Sequence, residues 1–288
     1  MDTNLIKRIA FAAVAIPLAL LVVWYGGWPL ALLVSAIAVL GVRELFAIAE
    51  AGGNTPLTGV GTVLAGLIPI ISQAALTISD VGLIVGANWH YLFAGGVVLL
   101  LMVLLLLRGP SDRPLAAISI TIVGVGYAAL LPSFLLGIRH AGFGEQSWAG
   151  AAMVFFPLVV VWVCDSAAMF GGKAFGGPKL APTISPGKTR SGGVAGLIGG
   201  MLVAPLFALV LFPRVGIVIS LGSAILMALV ISVVGQAGDL AESLFKREAG
   251  VKDSSNLIPG HGGVLDRFDA LYVTLPVAAM LYQWVGLL

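Results

Sequence analysis

Apolar residues come in runs of about twenty along most of the chain, the length a helix needs to cross the hydrocarbon of a bilayer. Nine spans are predicted, at 8–26, 29–49, 58–78, 91–107, 115–137, 148–170, 193–212, 216–243 and 267–287. The breaks between them are short and rich in turn formers, as in AGGNTPLT at 51–58 and RGPSDRP at 108–114. None is long enough to hold a soluble domain. The expected fold is therefore all-α, a polytopic integral membrane protein forming one transmembrane domain over 1–288, with a polar site at one face.

Composition supports that reading, with 59% of residues apolar and only 10% charged. The net charge of +2 comes from lysines and arginines in short connections, not on one basic face, which excludes a nucleic-acid partner. Cys164 stands alone, so neither an intramolecular disulfide nor a cysteine metal cluster can form. Lys7 and Arg8 precede an apolar run as in a signal peptide, yet the run is long and a second follows at once; a retained first helix is expected.

Lys and Arg favour cytoplasmic loops, which orients the chain. With nine crossings and the N-terminus inside, the cytoplasmic side holds Lys7, Arg8, Arg108, Arg113, Lys173, Lys179, Lys188, Arg190, Lys246, Arg247, Lys252 and Arg267. The other side holds Arg139 and Arg214, with Arg43 inside a span. Both charged regions, 165–192 and 239–269, then lie at the cytoplasmic face.

Charge is costly inside a bilayer, so these two regions are where chemistry is expected. Asp239, Glu242, Ser243 and Lys246 stand at i, i+3, i+4 and i+7, on one face of one helix. They read either as ion pairs on a solvated helix end or as a reaction face; Asp239, just after Gly235, Gln236 and Gly238, lies deeper than a solvated end requires. Asp266 and Asp269 flank Arg267 where the last span begins, so Asp239 and Asp266 are expected to face each other from two helix ends. Such carboxylates suit Mg²⁺, although helix capping explains one of them equally well.

His261 lies among Gly260, Gly262 and Gly263, and a loop histidine is more often a hydrogen-bonding partner than a general base. Between Cys164 and Gly193, Asp165 is followed by Lys173, Lys179, Lys188 and Arg190 among glycines: an oligophosphate cradle, or simply a positive cytoplasmic loop. It is not a P-loop, because Pro182 stands where that loop needs glycine. Gly192, Gly196 and Gly200 recur every four residues and predict close helix packing. Arg43 and Glu44 are adjacent in the second span, and an ion pair with a neighbouring helix is expected. Trp24, Trp28, Trp89 and Trp148 suit an interfacial belt.

The run Ser243, Phe245, Lys246, Arg247, Lys252, Asp253, Ser255, Ile258, Pro259, His261, Gly262, Gly263, Val264, Asp266, Arg267, Phe268, Asp269 resembles the signature of the phosphatidate cytidylyltransferases, also called CDP-diacylglycerol synthases. The upstream CDSAAMFGGKAFG and ISPGKT look like that family's second characteristic segment. The chain departs from the family pattern at Thr189-Arg190-Ser191-Gly192, where Trp-Glu-Gly usually follows the threonine.

The resemblance implies a metal-dependent nucleotidyltransferase of phospholipid biosynthesis, in which CTP and phosphatidic acid give CDP-diacylglycerol and pyrophosphate. It also implies Mg²⁺, a second cation (K⁺ or another Mg²⁺), a homodimer and a bacterial inner membrane, with the site in 160–288 facing the cytoplasm. Carried onto this sequence, Asp239 and Asp266 are the expected metal ligands, with Asp269 in support. Lys246, Arg247, Lys252 and Arg267 are expected at phosphates, and Asp253 and His261 complete the catalytic set. Asp165, Lys173, Ser185, Lys188, Thr189 and Ser243 are the expected substrate contacts. Two other classes stay open: a CTP-dependent lipid kinase, and a secondary transporter with charged residues inside its spans, although no internal symmetry is visible.

Overall fold

A computed structural model describes residues 17–82, 99–100, 103–104, 106, 113–258 and 262–288. Six of the described helices are long and apolar enough to cross a membrane: α1 (Gly27–Ala51), α2 (Thr58–Thr77), α3 (Pro114–His140), α4 (Trp148–Phe175), α5 (Arg190–Arg214) and α6 (Leu221–Glu248). A further helix, α7 (Leu265–Trp284), opens with Asp266, Arg267 and Asp269 in its first turns and is less apolar. Residues 17–25 are also helical. Against the nine spans expected, six helices among the described residues qualify; about half of the first expected span and most of the fourth lie outside those residues.

Helix starts are fixed by local chemistry. Ser147, Thr189 and Ser220 each accept a backbone N–H from the first turn of α4, α5 and α6, satisfying a donor the helix itself leaves unpaired. In α3 and α5 the helix widens to a π turn, at Gly126–Leu130 and Phe207–Leu211, and a proline follows two residues later in each case, Pro132 and Pro213. Proline lacks the N–H for the ordinary helical bond and clashes with the preceding turn, which a widened turn relieves.

The glycine repeat does what its spacing predicts. A methyl at Gly192 would meet the Ala168 carbonyl oxygen at 2.7 Å, and at Gly196 the Cys164 carbonyl oxygen at 3.0 Å. A methyl at Gly199 would collide with Ala167, and at Gly200 with the Ser232 hydroxyl. Without side chains here, α4 and α5 approach until backbone nearly touches backbone. Away from this interface, Phe156, Phe207 and Phe212 pack ring to ring at 5.2–5.7 Å, and the buried Tyr282 hydroxyl donates to the Met153 carbonyl.

The segment between Cys164 and Gly193, expected as an oligophosphate cradle or a positive loop, contains a two-stranded antiparallel hairpin. β1 (Lys179–Ala181) pairs with β2 (Ser185–Thr189), Lys179 opposite Thr189 and Ala181 opposite Ser185, with an irregularity between. Gly176 and Gly177, at φ +59° and +95°, turn the chain out of α4 into it, a left-handed backbone that glycine adopts without steric cost. The Ser191 hydroxyl then bonds the Gly176 carbonyl and lies 3.1 Å from the Thr189 hydroxyl, so the unusual residue at 191 ties the start of α5 to the end of α4.

Two expectations about single charges change. Arg139, counted among loop charges, is buried and donates to the carbonyls of Val23, Trp24, Tyr25 and Gly144, closing the C-terminal end of the 17–25 helix. Glu44 has no ion pair among the described residues; its carboxylate instead accepts four hydrogen bonds from 254–265, while Arg43 is exposed. Of the expected aromatic belt, Trp24 and Trp148 pack together at 5.8 Å and Trp89 lies outside the described residues.

Candidate active site

Where α4 ends, the hairpin folds over, and α6 ends beside the start of α7, a cavity of about 840 Å³ opens. Small-molecule sites fall in the range of about 300–1,000 Å³. Its walls carry Asp165 and Lys173 from α4, Lys179, Lys188 and Thr189 from the hairpin, Gln236 and Asp239 from α6, and Asp266, Arg267 and Asp269 from α7. Asp239 and Asp266, from two different helices, line the same cavity.

The acids are held in different ways. Asp239 pairs with Lys188 at 2.5 Å, each side chain 28% exposed. Asp165 lies close enough to Asp239 and Asp269 for their charges to repel. Among the described residues Asp269 accepts its neighbour's amide, from Ala270, and its backbone carbonyl takes the Tyr127 hydroxyl at 3.3 Å. Asp266 is the most constrained: one oxygen meets the Lys246 ammonium at 2.7 Å, and the other accepts from the Ser254 and Gly263 amides at 2.8–2.9 Å and lies 2.9 Å from the Ser254 hydroxyl, whose one proton it shares with Glu44. Reaching back to Gly263, it also serves the capping role that the sequence allowed.

Lys246 sits between Glu242 at 2.6 Å and Asp266 at 2.7 Å, with its side chain only 11% exposed, so its ammonium is paired with two buried carboxylates. Glu242 and Lys246 are thus an i,i+4 pair as the plainer reading had it, but a buried one. Arg247 is exposed and donates to the Ile184 and Val251 carbonyls, bracing the hairpin turn against the end of α6.

The remaining expected residues are placed as follows. Lys173, Lys188, Thr189 and Arg267 face the cavity, whereas Ser185 and Ser243 are half-buried and do not form its wall. Lys252 and Asp253 are exposed on the segment after α6, outside the cavity lining, and His261 lies outside the described residues. Sequence reasoning passed over Gln236, whose amide bonds the Gly193 carbonyl and the Cys164 sulfur and so joins α6 to α5 and α4 behind the cavity. It also passed over Ser254; an acid buried in a span, Glu44, was the signal that pointed there.

Residues 6–285 match the sequence model of the cytidylyltransferase family. The chain belongs to that family. Similar curated relatives include a phosphatidate cytidylyltransferase of Synechocystis sp., 32% identical over 98% of this chain and 97% of its own. One from Brucella suis is 37% identical over 97% and 93%, and one from Haemophilus influenzae is 39% identical over 55% and 56%. The family's signature positions are not scattered over the fold: those that face inward close one end of a single cavity, and Lys246 and Ser255 bind the acids beneath it.

Proposed function

We propose that the chain transfers CMP from CTP to phosphatidic acid, giving CDP-diacylglycerol and pyrophosphate. One observation carries the reading: a single cavity, walled by the signature residues of a cytidylyltransferase, holds Lys173, Lys179, Lys188 and Arg267 together with Asp165, Asp239, Asp266 and Asp269. In the reaction an anionic phosphate oxygen of the lipid attacks the α-phosphorus of CTP. A P–O bond forms, the bond to the β-phosphate oxygen breaks, and pyrophosphate leaves with the electron pair. The nucleophile is already ionised, so no strong base is needed; positioning and relief of repulsion between two polyanions are what the protein must supply.

The lining bears on a metal. Its four cationic and four acidic side chains cancel formally, and Lys188 is already paired with Asp239. A nucleotide triphosphate entering such a cavity brings uncompensated negative charge, and the acids offer the hard oxygen donors that Mg²⁺ prefers. The residues therefore fit a divalent cation, which Asp239 and Asp266 would hold with Asp269 in support. Bound there, it would add positive charge at the α-phosphate and the leaving pyrophosphate. A second cation, K⁺ or Mg²⁺, belongs to the same proposal. Lys188, released from Asp239, and Lys173 and Thr189 beside it would contact the triphosphate, and Arg267 the lipid phosphate.

We further place the cavity at the cytoplasmic face of a bacterial inner membrane, in a homodimer whose protomers each cross nine times; the distribution of Lys and Arg supports that orientation. The assay uses CTP labelled at the α- or the γ-phosphate with the purified chain and phosphatidate. Transfer of α-label to lipid, with γ-label recovered in pyrophosphate, is the expected result. Transfer of γ-label to lipid would make the chain a lipid kinase instead.

A further inference from the structure

Glu44 belongs to neither signature segment and is 210–221 residues in sequence from the groups it binds. Its carboxylate is nonetheless the hub of the segment that carries Asp266. One oxygen accepts from the Ser255 hydroxyl at 2.6 Å and the Val264 amide at 3.0 Å; the other accepts from the Leu265 amide at 2.7 Å and the Ser254 hydroxyl at 2.9 Å. The two amides are orphan donors at the start of α7, a position no side chain within that helix caps. An acid on α1 therefore caps the two amides that Asp266, bonded to the Gly263 amide, leaves open, and complements the helix dipole.

The Ser254 hydroxyl also lies 2.9 Å from the Asp266 carboxylate, so a single hydroxyl bridges the two acids. Gly263 makes this possible: a methyl there would overlap both the Ser254 hydroxyl and the Glu44 carboxylate. The chain of contacts runs from Glu44 through Ser254 to Asp266, and on through Lys246 to Glu242. Every member is buried or nearly so, and Asp266 alone among them lines the cavity. Rigid support of this kind is what a reactive carboxylate needs to keep its orientation.

We propose that Glu44 is a positioning residue for the transfer reaction, acting through Ser254 to fix the Asp266 carboxylate and the first turn of α7 against the cavity. The inference rests on the cavity being the transfer site. Glu44→Gln replaces one acceptor oxygen by an N–H donor that opposes the donors already there, and Ser254→Ala removes the bridge while leaving the Ser254 amide in place. In the full-length protein each variant is expected to lower kcat by about 10–100-fold, the range for loss of a supporting residue. KM for CTP should change little, because the cavity's lysines are untouched. The double variant should be no worse than the poorer single one, since both act on one chain of contacts.

Full kcat in either single variant, or costs that multiply in the double, would overturn the proposal. Should Glu44→Gln fold poorly, Ser254→Ala still decides it. Hydrogen exchange gives a reading that does not depend on turnover: Glu44→Gln should lose amide protection at Val264 and Leu265 while the middle of α7 keeps it. Unchanged protection there would refute the clamp, whereas a wild-type protein that shows the clamp but makes no CDP-lipid would refute only the assigned reaction.

Discussion

Lys246 offers the sharpest separation between a phosphate-binding lysine and a structural one. Lys246→Met keeps the length of the side chain and removes its charge. Glu242, fully buried, and Asp266, 7% exposed, would then face each other without the ammonium that lies 2.6 and 2.7 Å from them. Removing one partner of a buried ionic group generally costs about 3–5 kcal/mol, because the remaining charge stays out of water. Here two carboxylates lose their counter-charge at once, so the upper part of that range applies. Denaturant or thermal unfolding in detergent, read alongside kcat and KM, measures both effects. Lys246→Met should be markedly less stable and should lose kcat. Adding Glu242→Gln should restore part of the stability, because one of the two stranded charges is gone, and the two changes will not add. A Lys246→Met protein as stable as wild type, with only a raised KM for CTP, would refute this reasoning and return the ammonium to a phosphate.

Lys188, at the cavity surface, should behave in the opposite way: Lys188→Met is expected to raise KM for CTP by about tenfold with a small stability cost, since its pair with Asp239 is partly solvated. Gly263→Ala should all but abolish turnover, because the added methyl overlaps the bridge between Glu44 and Ser254; wild-type kcat would show that the segment relaxes freely. Chelation of divalent cations should stop pyrophosphate release and Mg²⁺ should restore it, and undiminished release in chelator would remove the metal from the proposal.

The fold was legible wherever hydropathy period and span length set it. α2 and α4 start where the apolar runs predicted, and the glycine repeat in α5 marked a tight interface before any partner helix was known. The hairpin at 179–189 was not legible. Its strands are three and five residues long, rich in Lys, Pro and Gly, with no alternation of apolar and polar positions to announce them. Within the site, spacing brought Asp239 and Asp266 to one cavity, but spacing cannot tell which side of a helix end is solvated. Lys246, which the resemblance puts at a phosphate, lies between two acids, and its spacing on the helix face does not announce that enclosure. Glu44 illustrates the same limit from the other direction. A buried acid in a span announces that it has partners, whereas hydrogen bonds to backbone amides more than two hundred residues away leave no mark in the sequence.

Pyrophosphate release by the purified full-length protein, with CTP, Mg²⁺ and phosphatidate each withheld in turn and Asp239→Asn run in parallel, probes the site and the reaction together. Release should require all three components and should vanish in Asp239→Asn while that protein still folds. Release without phosphatidate, or an Asp239→Asn protein as active as wild type, would show that the acids of this cavity do not bring a nucleotide and an anionic lipid together.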